Sequence, residues 1–438
     1  PFRFIESSGG SCTPDQVRSS PLRTILSGPA GGATAGAALA RLMGLDTALT
    51  ADMGGTSFDI AIIRDGQPEL SGNRTPEFGL TVAVPSVAIH SAGIGGGSLV
   101  GTDDSIPGGL FVGPESVGAH PGPACFGRGG RKPTITDANL IMGRLVGDRT
   151  DLGLPVLDPT AAYQALLAEV CPGLGLDPAE AARVVLDVAE ARMVGFLRTH
   201  LAANGVAASE STLIAFGGAG PIHAASLARR LGIARVIIPY LAAGFSALGA
   251  LLTPPARTAM IAVDATLLAL TPERLLALLA SAFGEQMQGA LRLALILRRG
   301  ENPHEDMLPV PDPTESVSAR IRRYHALTER AYGIRPAPES VRIARLLAVL
   351  EEGPSCIALD RSLQMTFGKE QERYSAAPRG LETSGSNNAP RFHVASLMVG
   401  KSSKGPALLV LPGASAFVPE GMTYQVDGWG NVVVDTSE

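Results

Sequence analysis

A chain of 438 residues, 45% hydrophobic and 18% charged, has the apolar material for a large core, which excludes a disordered tail or linker. With 36 basic against 41 acidic residues the formal net charge is −5, so electrostatic capture of nucleic acid is not expected. Cys12, Cys125, Cys171 and Cys356 lie far apart with no CxxC pair, which argues against a disulfide scaffold or a cysteine zinc site and for a cytoplasmic protein.

In chain order, Leu22 to Leu26 reads as a strand, and Ser27-Gly28-Pro29-Ala30-Gly31-Gly32 opens an Ala-rich helix to about Met43. Thr47 to Ala51 and Phe58 to Arg64 read as strands, and Asp65-Gly66 is a hairpin signal. Asp52 to Asp59 is therefore a turn between two strands. Pro159 to Cys171 and Pro178 to Asn204 carry helical Ala/Leu periodicity. Leu213 to Phe216 reads as a strand, Pro221 to Leu231 as a helix and Arg235 to Pro239 as a strand. This order predicts an α/β layer fold. The apolar run Val236 to Leu252 is broken by Pro239, Gly244, Ser246 and Gly249 and is short for a bilayer, so no membrane span is expected. After Pro254-Pro255 the pattern changes. Ala/Leu-rich helices are expected to about Leu297, a Pro-rich stretch from Asn302 to Pro313, and a helix from about Glu315 to Tyr332. Residues 367 to 391 read as a polar loop, and Ala407 to Leu411, Ala416 to Val418 and Val432 to Val434 as short strands. The expected division is 1–255 and 256–438, the second part β-rich at its end.

Asp52-Met53-Gly54-Gly55-Thr56-Ser57-Phe58-Asp59 carries the most chemistry. Paired glycines turn the main chain tightly and aim N–H groups inward, as loops that cradle phosphate do. Thr56 and Ser57 add hydroxyl donors, and the terminal carboxylates suit Mg²⁺ or an attacking water. An ordinary Asp/Gly hairpin is the competing interpretation. The segment resembles the phosphate hairpins of the actin-like ATPase superfamily. With Ser27 to Gly32, Gly95-Gly96-Gly97-Ser98, the Gly/Pro loop Pro121 to Gly130, Thr134-Ile135-Thr136-Asp137-Ala138-Asn139 and Phe216-Gly217-Gly218-Ala219-Gly220-Pro221-Ile222-His223 in that order, the chain is similar to the hydantoinase A/5-oxoprolinase family. The match is strong from about Phe2 to Leu252 and returns at Gly405 to Val434.

The resemblance implies an actin-like, ribonuclease H-like nucleotide-binding domain followed by a mixed C-terminal domain. It implies ATP and Mg²⁺, a cyclic amide of the 5-oxoproline or hydantoin type as substrate, and a separate B-type subunit as partner. Gly54, Gly55, Thr56 and Ser57 would then serve the phosphates, Asp52 and Asp59 the Mg²⁺ or water, and Gly217, Gly218 and Gly220 the adenosine. For the last turn, glycine packing is the rival explanation. His90, Asp137 and His223 offer a possible metal or substrate set, although Asp137 would equally cap a helix and His223 pack in one. A ketone carboxylase subunit and an incomplete nucleotide-binding scaffold are the alternative functions. The family also carries an earlier D-x-G-G-T hairpin, of which Asp52 to Asp59 matches the second copy. Pro1 therefore falls inside the family pattern, and the half with the first hairpin is expected to be on another polypeptide, removed or lost. Glu301 stands where the family has Gln.

Overall fold

The computed structural model describes residues 2–71, 84–103, 105, 108–148, 156–285, 287–300, 305–353, 359–375, 382–383 and 389–437. Glu301 lies outside them. A nine-stranded sheet organises the described residues. At its centre Thr212–Phe216 runs parallel to both Thr47–Met53 and Arg235–Ile238. All five residues of this central strand are buried, the signature of a parallel strand covered on both faces. Phe58–Arg64 pairs antiparallel with Thr47–Met53 and then with Ile89–Ala92.

The register fixes the geography of the site. Phe216 is the partner of Asp52, and Asp52 is the partner of Asp59. The glycine turn that follows Phe216 therefore leaves the sheet beside the first carboxylate of the hairpin. Pro178–Ala203 and Gly220–Leu231 contribute their apolar faces to the core around this sheet. Ser27–Met43 packs on Phe245–Leu252 backbone against backbone, since a Cβ on Gly249 would run into the carbonyl of Gly31. No helix among the described residues is long and apolar enough to cross a membrane.

Four expectations meet a different outcome. Pro21–Thr24 is a 3₁₀ turn with Pro21 in its first position, and Leu22 and Ile25 are exposed, so no strand forms there. Proline fixes φ for a helical start and cannot donate to a ladder. Ala290–Arg299 is a strand rather than the end of a helix, and its buried run Leu293 to Leu297 sits between two antiparallel partners. An apolar run this short has no diagnostic period, and its neighbours decide. Glu305–Pro309 is a strand inside the expected Pro-rich stretch. The segment read as a polar loop begins inside the helix Leu359–Ser375 and ends in the strand Pro390–His393; residues 376–381 and 384–388 lie outside the described set.

Two cores result. The larger surrounds the nine-stranded sheet. The smaller fills the sheet of Ala256–Thr266, Val341–Glu351, Ala290–Arg299 and Glu305–Pro309, with Leu275, Leu279 and Phe283 from one helix and Tyr324 from another. The chain then returns: Val432–Asp435 pairs with Arg235–Ile238, and Thr423–Val426 extends the large sheet beyond it.

Candidate functional site

The hairpin between Thr47–Met53 and Phe58–Arg64 closes with the Gly54 N–H donating to the Ser57 carbonyl at 3.3 Å. Gly54, Gly55 and Thr56 are exposed, and a Cβ at either glycine would meet nothing within 4 Å. These glycines leave open space above the turn rather than filling a packing gap.

Two distant segments close on this turn. The Gly96 and Gly97 N–H groups donate to the Gly54 and Gly55 carbonyls at 2.9 and 2.7 Å. Thr136 holds that loop from behind, its N–H and hydroxyl both donating to the Gly96 carbonyl at 2.8 Å. On the other side the Ala219 N–H donates to the Met53 carbonyl at 3.0 Å. Gly217 has φ +83, and a Cβ there would strike the Met53 carbonyl and the Asp52 carboxylate. Gly220 begins the helix Gly220–Leu231 with Pro221 in its first turn, and the Ile222 N–H donates to the Ala219 carbonyl at 3.1 Å. Asp52, Gly54, Gly55, Thr56, Ser57 and Asp59 are thus brought together with the turn Gly217, Gly218 and Gly220.

Asp52 is partly buried, and its Oδ2 accepts from the Ser246 hydroxyl at 3.0 Å. Burial pushes its pKa up to about 6; the Ser246 bond opposes this, and the neighbouring Asp59 charge adds to it. Asp59 Oδ2 accepts from the Ser57 hydroxyl at 3.0 Å. Two facing carboxylates, one held against its preference for ionisation, with hydroxyl oxygens alongside, fit a hard divalent cation of the Mg²⁺ type.

The raised pKa has a signed consequence for stability. Between the ordinary value of 3.8 and about 6 the folded chain retains a proton that the unfolded chain has released. Stability therefore falls as pH rises through that window, by up to about 3 kcal/mol. Denaturant titrations of the metal-free protein from pH 4 to 8 are expected to show this decline, and Asp52→Asn to remove it. Parallel pH profiles for the two proteins would refute the assignment.

The other candidates sit elsewhere. His90 lies on the strand Ile89–Ala92 opposite Ile60, its ring 4.2 Å from the ring of His200. Asp137 is fully buried. Its carboxylate accepts from the Thr134 N–H and hydroxyl at 2.9 and 2.7 Å and from the N–H groups of Cys125 and Ala124 at 2.8 and 3.3 Å. It completes the cap of the helix Ile135–Ile141 and anchors the Gly/Pro loop. Thr134→Ala is expected to cost about 1 kcal/mol through this cap, as a shift of the urea midpoint. His223 is fully buried between Asn139 and Glu190. These three residues have separate partner sets, and among the described residues no group of three His, Cys, Asp or Glu is placed to hold a metal.

Ser246 escaped sequence reasoning. Its only signal was a hydroxyl in an otherwise apolar run, and its partner Asp52 lies nearly two hundred positions earlier. Nothing in the sequence around Thr136 signals its bond to the Gly96 carbonyl.

The solved structures that resemble this chain have the actin-like ATPase fold, and this chain shares that fold. Residues 1–258 match the family described as hydantoinase/oxoprolinase, and the chain belongs to that family. It is 36% identical over 253 residues to the caprolactamase subunit alpha of Pseudomonas jessenii, covering 58% of this chain and 36% of that protein. It is 36% identical over 260 residues to the 5-oxoprolinase of Saccharomyces cerevisiae, covering 57% and 20%. It is 32% identical over 249 residues to the acetone carboxylase beta subunit of Xanthobacter autotrophicus, covering 57% and 34%. The match thus spans about a third of these relatives' length, or less. The structure of the ATP-dependent caprolactamase from P. jessenii superimposes with a TM-score of 0.80 at 26% identity, over 100% of this chain and 66% of that one. The nucleotide-free acetone carboxylase gives 0.68 at 23%, over 99% and 64%, a likeness of fold.

Proposed function

We propose that this chain binds Mg-ATP and takes part, as the A-type component, in opening a cyclic amide of the 5-oxoproline or hydantoin type in the cytoplasm. The observation that carries this reading is the meeting of the open Gly54-Gly55 turn, the Gly95 to Gly97 loop and the Gly217 to Gly220 turn beside the facing Asp52 and Asp59. A lactam carbonyl is a poor electrophile. Attack of its oxygen on the terminal phosphorus of ATP, with ADP leaving and the amide proton lost to water, makes an imidate-type phosphate; water then adds at the carbonyl carbon, phosphate leaves and the C–N bond opens. In such a transfer the protein's part is placement and charge stabilisation. Gly54, Gly55, Thr56 and Ser57 bind and orient the phosphates. Asp52 and Asp59 hold Mg²⁺, which supplies charge neutralisation to the phosphates, or orient the attacking water. Gly217, Gly218 and Gly220 line the adenosine side.

A B-type subunit is the proposed partner for the hydrolytic step. The likeness to the acetone carboxylase beta subunit favours a second reading, in which the same phosphoryl chemistry activates a ketone enol and bicarbonate. ATP hydrolysis by this chain with a candidate B-type subunit separates the two. Stimulation by a lactam or hydantoin supports the first, and stimulation only by a ketone with bicarbonate supports the second. Nucleotide binding without turnover on either panel would instead support a scaffold role.

A further inference from the structure

Behind the hairpin lies a buried polar cluster to which the proposed chemistry gives no role. Glu190, on the long helix Pro178–Ala203, is almost completely buried. It accepts from Arg144 Nη1 at 2.8 Å and from the Ser226 hydroxyl at 2.5 Å, and Arg230 Nη2 lies 3.4 Å away. His223 Nδ1 is 3.2 Å from Glu190 Oε1, and His223 Nε2 is 3.1 Å from Asn139 Nδ2. Burial alone would raise the Glu190 pKa; His223, Arg144 and Ser226 outweigh it and hold it at about 2. An ionised carboxylate only accepts, so His223 Nδ1 donates to Glu190, and Nε2 bonds the Asn139 amide.

The placement of the three helices gives this chain of bonds a direction. Asn139 lies on Ile135–Ile141, whose Thr136 holds the Gly96 carbonyl. His223 lies on Gly220–Leu231, which issues from the glycine turn bonded to Met53. One loop that closes on the hairpin is therefore held by the first turn of one helix and the other runs directly into a second, and the Asn139–His223 bond joins the two helices. Among the described residues the Asn139 Oδ1 has no hydrogen-bond partner. A buried orphan acceptor weakens the fold, so packing alone does not account for an amide at this position. What the amide adds is a directed link.

We propose that Asn139 and His223, anchored on Glu190, form a cross-brace that sets the spacing of the Gly95 to Gly97 loop and the Gly217 to Gly220 turn over the hairpin. Both are positioning residues, and only their effect on affinity rests on the nucleotide reading given above. The test is amide hydrogen exchange without nucleotide on the unmodified chain, Asn139→Ala, Asn139→Leu and a control, Leu197→Ala. Leu197 is a core residue of the same long helix. Both Asn139 variants are expected to speed exchange of the Gly96, Gly97 and Ala219 amides about tenfold or more while Ile60 to Ile63 stay protected. Leu197→Ala is expected to lower the melting temperature without that local pattern. Unchanged exchange in both Asn139 variants, or an equal local effect from Leu197→Ala, would overturn the brace. Calorimetry with Mg-ATP is then expected to show about tenfold weaker binding in the Asn139 variants. Faster local exchange in a chain that binds no Mg-ATP would uphold the brace and overturn the nucleotide reading.

Discussion

Asp52→Asn is expected to weaken Mg-ATP binding about a hundredfold or more, close to 3 kcal/mol, while making the metal-free protein more stable at neutral pH. The two effects have one origin. The carboxylate is held partly buried, directly across the ladder from Asp59, with Ser246 as its hydrogen-bond donor. Without a cation this is an uncomfortable place for a second negative charge, and an amide relieves it. With a cation the same charge becomes the strongest ligand in reach, and an amide oxygen is a poor replacement. Calorimetry and denaturant titration on the same preparation read both quantities. A variant that bound Mg-ATP as tightly as the parent chain would remove Asp52 from the site. A variant that bound weakly but was also less stable would point to general damage.

The second large effect is expected one strand away. Gly217→Ala would put a methyl group against the Met53 carbonyl and the Asp52 carboxylate, at a φ of +83 that alanine adopts only under strain. Both neighbours belong to the hairpin strand, so the turn must move away from the hairpin or the hairpin must distort. The expected cost is about 3 kcal/mol or more in stability, with nucleotide binding lost. Gly218→Ala is the matched control, since nothing lies within 4 Å of its added Cβ, and it is expected to be near neutral in stability. Equal urea midpoints for the two variants would contradict this account of the turn.

What was legible in the sequence was local. Asp52 to Asp59 announced a hairpin because Gly54-Gly55 and the flanking apolar runs lie within a dozen positions, and the ladder has both carboxylates opposite each other. The turn after Phe216 was legible for the same reason. What was not legible was long-range. Nothing near Ser246 indicates that its hydroxyl meets Asp52, and nothing near Asn139 indicates His223. Ala290–Arg299 carries an apolar run that suits a helix until Val341–Glu351 pairs with it. His90, Asp137 and His223 looked like a ligand set because their residue types match one. Asp137 spends its oxygens on the Thr134 cap and the loop at Ala124 and Cys125, and His223 spends both nitrogens on Glu190 and Asn139. Residue type alone cannot reveal such prior commitments.

The central claim is that three loops distant in sequence form one nucleotide site. A crystal structure of this chain grown with Mg²⁺ and a non-hydrolysable ATP analogue tests it most directly. The account predicts phosphates over the main chain of Gly54 to Ser57, the cation between those phosphates and the Asp52 and Asp59 carboxylates, and the adenosine along Gly217 to Gly220. Nucleotide bound elsewhere on the chain, with the hairpin turn still open to solvent at saturating analogue, would contradict it.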